Sequence, residues 1–167
     1  MSENRTGKVV KISGNMVTVT ADSSIVQNEV AYIKHGKESL KAEVIRVRGN
    51  RAETQVYEST SELCVGDHVE FTGELLSVEL GPGLLGQIFD GLQNPLPHLA
   101  QQHGFFLKRG VYLPALADET VWEFTPLVKI SDSVRAGDKL GFVQEKIFKH
   151  FIMVPFGFKG AGEVVFA

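Results

Sequence analysis

Gly81-Pro82-Gly83-Leu84-Leu85-Gly86 has the spacing GxGxxG, and the backbone amides of such a turn can hold a phosphate or a pyrophosphate. Nucleotide chemistry asks for more than glycines. A phosphoryl-transfer loop runs GxxxxGK[ST], supplying a lysine for the β- and γ-phosphates and a hydroxyl for the metal. Here no Lys or Ser/Thr follows Gly86 in the required place, and Pro82 removes one backbone donor. A dinucleotide site also wants an acidic residue about 20 residues further on, where this chain offers His98 and Gln101. The run is therefore expected to serve tight chain reversals and close packing.

The remaining candidates for chemistry are dispersed. Of the histidines at 35, 68, 98, 103 and 150, only His98 and His103 stand close. Their separation does not stack two ligands on one helical face, and no cysteine or acidic cluster completes a metal shell. Cys64 is the single cysteine, which excludes a disulfide framework and a multi-cysteine zinc site. It precedes a Val-Gly turn within a strand pattern, where a buried, unreactive thiol is expected. No Gly-x-Ser-x-Gly is present. Asp118, Glu119 and Glu123 surround Trp122 and are expected to form a solvated rim. Val134–Val143 resembles the turn-and-strand rhythm of lipoyl and biotinyl carrier domains. Its Lys139, however, stands where the turn enters a strand, so the rhythm points to a barrel-sandwich shape and not to a modified lysine. No catalytic, cofactor-binding or metal-ligating residue is expected in this chain.

The elements that would carry these residues are mostly strands. From Gly7 to Gly73, alternating runs at Lys8–Ile12, Met16–Thr20, Glu29–Lys34, Lys41–Arg48, Arg51–Tyr57 and Val69–Phe71 are separated by turn signals such as Ser13-Gly14-Asn15 and Gly49-Asn50. Val17 and Val19 fall on one face, Thr18 and Thr20 on the other. Short strands at near-regular spacing predict a small closed barrel, since closure removes exposed edges. Leu84, Leu85, Ile88 and Leu92 recur at helical spacing and predict a short amphipathic helix capped near Gly91, with Pro95 and Pro97 preventing its continuation. Val111–Leu113, Val121–Phe124, Lys139–Val143, Phe151–Val154 and Glu163–Phe166 are predicted strands of a second module. The fold class is mainly β: a small N-terminal barrel over 1–73, a short strand-helix linking segment over 74–104, and a β-rich, barrel-sandwich-like module over 105–167.

The chain has 167 residues, 43% hydrophobic and 22% charged, with a net charge of -3. That composition supports a packed core and argues against a nucleic-acid partner. Lys8, Lys11, Lys34, Lys37, Lys41, Arg46, Arg48 and Arg51 are the one concentration of positive charge. The alternative reading is a free-standing β-barrel module that binds RNA or another protein; exposed aromatics interleaved with these basic residues would favour RNA, while alternating charge on strands more often marks a solvated face. Met1–Gly7 is polar and lacks a signal-peptide core. No apolar stretch approaches the roughly 20 residues that span a bilayer, so direct membrane insertion is not expected.

Longer motifs are more specific. Gln55-Val56-Tyr57-Glu58-Ser59-Thr60 with Leu63-Cys64-Val65-Gly66-Asp67, the block Leu76–Leu96, Lys108-Arg109-Gly110-Val111, Leu113-Pro114-Ala115-Leu116 and Trp122-Glu123-Phe124 together resemble the catalytic A subunits of V-type rotary ATPases. Asn94 departs from the Arg usual at that place. The resemblance, from about Gly7 to Ala167, implies that 1–73 is the barrel joining A subunits to B subunits in a hexameric ring. It implies that Ser77 to about Ala100 is the first strand and helix of the nucleotide-binding domain. It implies further that 105–167 is the insertion of A subunits, implicated in peripheral-stalk contact. ATP and Mg would belong to the parent subunit, whose phosphate-binding loop is not among these residues. The location implied is cytoplasmic, peripheral to the membrane, in the soluble ATPase sector. Of the aromatics Trp122, Phe105, Phe106, Phe156 and Phe158, most are expected in the insertion's core.

Overall fold

The computed structural model describes residues 5–104, 108–117 and 119–166, so Phe105, Phe106 and Asp118 lie outside the described residues. The chain divides into two compact units, one built from Met1–Val78 and Pro97–Leu113, the other from Glu79–Leu96 and Pro114–Ala167.

In the first unit, β1 (Arg5–Ser13), β2 (Met16–Ala21), β3 (Glu29–His35), β4 (Glu38–Arg48), β5 (Arg51–Val56) and β6 (His68–Leu75) form a closed barrel in the order β1-β2-β5-β4-β3-β6. Antiparallel pairing of β1 with β6, from Arg5↔Phe71 to Lys8↔His68, completes the closure. The alternation in the sequence is what fills it. Val17, Val19, Ile33, Leu40, Val44 and Val69 are fully buried, whereas Thr18 and Thr20 are half-buried on the opposite face.

Two polar side chains also lie inside, each with partners, as burial without hydrogen bonds would be costly. Thr54 Oγ1 donates to the Val17 carbonyl at 2.9 Å. The Glu29 carboxylate pairs with Arg5 and accepts the N–H groups of Val26 at 2.5 Å and Gly73 at 2.8 Å. It thereby ties β3 to the first and last strands of the barrel.

The second unit is looser. β7 (Phe124–Pro126), β9 (Lys139–Glu145) and β10 (Phe148–Met153) make a sheet of order β10-β9-β7, and β8 (Ser133–Arg135) pairs with β11 (Ala161–Glu163). Val134, Val154 and Val164 are its buried cluster, with Val128 and Leu140 packed on them.

Several sequence expectations are corrected. Leu84–Leu92 is not a helix but a series of turns. Gly83 and Gly86 adopt φ of 109° and 82°, outside the helical region, and each glycine costs a helix about 1 kcal/mol relative to alanine. The helix of this region is α1 (Leu96–His103). Pro97, read as a barrier, lies in its first turn, where the missing N–H has no intrahelical partner to lose. No strand runs through 76–80 either; Leu76, Val78 and Leu80 are exposed there. Val111–Leu113 is irregular, and the strands anticipated at Val121–Phe124 and Glu163–Phe166 instead occupy Phe124–Pro126 and Ala161–Glu163. Phe156 and Phe158 are exposed rather than buried, and Trp122 is half-buried.

Candidate functional site

The glycine run is the place to ask whether an anion is held, and it is. Gly83 N donates to Glu145 Oε1 at 2.7 Å and Leu85 N to the same oxygen at 3.1 Å. The other oxygen, Oε2, lies 3.2 Å from His150 Nδ1. Glu145 is 2% exposed. Burial pushes its pKa up, but the two backbone donors and His150 outweigh that and hold the carboxyl below its ordinary value. The turn thus presents amides to a negative charge as a phosphate loop does, but the charge is a side chain of the same unit. Gly83 is favoured here by its backbone, at φ 109°, and not by space: a Cβ would meet the Trp122 ring at 3.5 Å, an ordinary contact.

The loop leading on from the glycines is closed by its own side chains. Glu79 N donates to Gln93 Oε1 and Gln93 Nε2 donates to the Glu79 carbonyl, both at 2.7 Å. Asp90 accepts from Leu92 N, Asn94 N and Asn94 Nδ2 at 2.9, 2.8 and 2.8 Å. Asn94 is 4% exposed, so the residue that departs from the family pattern is a buried amide bonded to Asp90.

The second constellation joins two of the sequence motifs within the first unit. Arg109 forms ion pairs with Glu38 and Glu62 and donates to the Ser59 carbonyl at 3.2 Å. Gly110 N donates to Glu58 Oε1 at 2.8 Å. The Tyr112 hydroxyl donates to Glu58 Oε2 at 2.5 Å and accepts from Lys41 N at 2.7 Å. Residues 109–112 therefore lie as a strap along β4 and the segment after β5. Hydrogen bonds from Arg109, Gly110 and Tyr112 hold this strap, and 111–113 lies outside any strand. Desolvation and then the Glu58 bond push the Tyr112 hydroxyl well above the ordinary phenol range. Burial and Glu43, 2.6 Å away, push Tyr57 up to about 12.

The other sequence candidates are not brought together. His35 bonds Asp67 at 2.9 Å and His150 bonds Glu145. Among the described residues no group of three or more His, Cys, Asp or Glu is arranged to hold a metal ion. Cys64 is exposed, not buried; its N–H donates to Asp67 Oδ2 at 2.7 Å, which turns the residue outward on a capped loop. Glu119 and Glu123 are exposed, the solvated positions expected of them. Lys139 opens β9 with its ammonium 4.0 Å from the centre of the Phe151 ring. On the barrel, Lys34 pairs with Glu70 and Arg46 with Glu53. The rings beneath Lys34 and Lys41 are the half-buried Tyr32 and Tyr112. The second unit also holds an apolar hollow of about 400 Å³ walled by Phe124, Val134, Leu140, Val154 and Phe158.

Sequence reasoning missed Glu145 and the strap. For Glu145 the only signal was a carboxylate where a buried-and-exposed alternation wanted an apolar residue. For the strap, the Tyr57-Glu58-Ser59 and Arg109-Gly110 motifs were visible, but nothing in a linear reading paired them.

Comparison with known proteins gives a consistent outcome. Residues 9–73 match the ATP synthase alpha/beta family, beta-barrel domain, and residues 113–166 match the ATPsynthase alpha/beta subunit barrel-sandwich domain. The chain is 57% identical over 160 residues to V-type ATP synthase alpha chain 1 of Treponema pallidum, covering 96% of this chain and 27% of that protein. It is 56% identical over 154 residues to the V-type ATP synthase alpha chain of Treponema denticola, covering 92% and 26%. Against the V-type ATP synthase alpha chain of Borreliella afzelii it is 57% identical over 153 residues, covering 92% and 27%. The chain thus spans about a quarter of the length of these relatives.

Proposed function

The chain belongs to the V-type ATP synthase alpha-chain family, of which it spans an N-terminal portion, and from that premise we propose that it serves the whole subunit as a scaffold and takes no direct part in catalysis. In this reading the subunit, with ATP and Mg bound elsewhere along its length, couples ATP hydrolysis or synthesis to proton or sodium transport. The barrel, 1–73, packs beside B subunits in a hexameric ring, the stretch 74–104 leads to and from the nucleotide-binding domain, and 105–167 is an insertion that meets the peripheral stalk. The assembly is cytoplasmic and peripheral to the membrane, without insertion of this portion and without a nucleic-acid partner.

The observation that carries the reading is the occupied glycine turn. Its amides are bonded to Glu145, and no lysine or hydroxyl follows Gly86 to meet a phosphate. A closed barrel, by contrast, offers a rigid wall with no free strand edge, suited to side-by-side association in a ring that must close.

An antibody raised against this chain supplies the test. It is expected to precipitate a polypeptide roughly four times longer than the chain, in keeping with the 27% coverage, together with ATP-hydrolysing activity and a second, related subunit. Precipitation of a single short protein without that activity would refute the proposal.

A further inference from the structure

The hairpin of β9 and β10 ends in the turn Lys146-Ile147, whose residues are the reverse of those a tight turn favours. Lys146 adopts φ of 55°, in the left-handed region normally given to Gly, Asn or Asp. Ile147 is β-branched and 85% exposed, and Phe148 beside it is 55% exposed. Neither the backbone nor solvation favours this choice.

The turn is nevertheless held firmly from within its unit. Glu145, at its base, is fixed by Gly83 N, Leu85 N and His150. Lys146 Nζ donates to the Leu85 carbonyl at 3.3 Å, and Gln144 Nε2 donates to the Lys146 carbonyl at 2.9 Å. Strand pairing runs unbroken from Phe148↔Glu145 to Ile152↔Gly141. Ile147 and Phe148 therefore project from a fixed base. Lys146 and Lys149 flank the pair in sequence, Lys149 with its ammonium 4.6 Å from the centre of the Phe142 ring, while the adjoining carboxylate, Glu145, is buried and spent on the glycine turn.

Rigid apolar anchors contribute most to binding because little ordering is left to be done when they dock, and flanking cations select a partner by charge. We propose that the Lys146–Lys149 tip is a docking knob that seats Ile147 and Phe148 in an apolar pocket of another protein, rimmed by Asp or Glu side chains. This rests on the reading that the unit works within a multi-subunit assembly.

The experiment places a benzoylphenylalanine photo-crosslinker at position 147 of the full-length subunit in its assembled complex, with position 121 as an exposed control. The expected product joins 147, and not 121, to one carboxylate-bearing peptide of another subunit. Ile147→Asp and, separately, Lys149→Glu are expected to weaken retention of that subunit about tenfold or more, while leaving the melting temperature of the variant subunit unchanged. Cross-linking only to lipid, only to the subunit's own polypeptide, or to nothing would overturn the knob while the assembly stands. Failure of the unsubstituted subunit to co-purify with any other would overturn the assembly reading and the knob together.

Discussion

Glu145 has one oxygen on two backbone amides and the other facing His150, so its charge is part of the fold. Hydrogen bonds to a charged group are worth about 1.5–3 kcal/mol each, and Glu145→Gln, which keeps the shape and removes the charge, is expected to destabilise the second unit by about 2 kcal/mol in denaturant titration. Its pH dependence has a definite sign. The folded carboxyl titrates below its ordinary value of 4.5, so its contribution is complete above that value and fades as pH falls through the lower, folded one. The variant should lack that acid limb. The tyrosines give the opposite sign. All three, Tyr32, Tyr57 and Tyr112, are raised above 10.0, first by burial. A spectrophotometric titration should show less phenolate at pH 10 than three free tyrosines would give, with the midpoint of Tyr57 at about 12; the stability they contribute is lost as pH rises through those folded values. A full phenolate signal at pH 10 would contradict the packing of the strap.

Among the elements, the strap and the barrel strands teach different things about what a sequence discloses. Period-two alternation announced β1 to β5 because each strand has one face in a closed core, and Val17, Val19 and Leu40 are fully buried where the pattern puts them. The glycine segment misled because Leu84, Leu85 and Ile88 have helical spacing without a surface to bury, and Ile88 is 65% exposed. The strap at 109–112 depends on Glu38 and Glu58, residues more than fifty positions away, a pairing that no local signal encodes. Gly110 marks how closely it lies. At φ 71° its Cβ would meet Ser39 N at 3.3 Å, whereas Gly49, at φ 60°, has nothing within 4 Å. Both Gly49→Ala and Gly110→Ala force a left-handed alanine, a cost of about 1 kcal/mol or more. Gly110→Ala should exceed Gly49→Ala in thermal-melt experiments, because only it also pushes the strap off β4. Equal losses would mean the strap is not fixed there.

At the scale of the whole molecule the two units differ in how much of their apolar surface they bury. The barrel cluster runs through all six strands, while the second unit buries Val134, Val154 and Val164 and leaves Val121, Phe156 and Phe166 at 95%, 80% and 88% exposure. Amide hydrogen exchange should accordingly be slowest in β1 to β5 and markedly faster in β7, β8 and β11; uniform protection would argue against this division of stability. In the proposed reading this portion is scaffold, and its Gly81–Gly86 turn is already filled by Glu145. Equilibrium dialysis of the chain against labelled ATP and Mg²⁺ tests it most directly. No saturable retention of nucleotide is expected, and retention of one ATP per chain would contradict the scaffold reading, because the Gly81–Gly86 turn would have to release Glu145 to accept a phosphate.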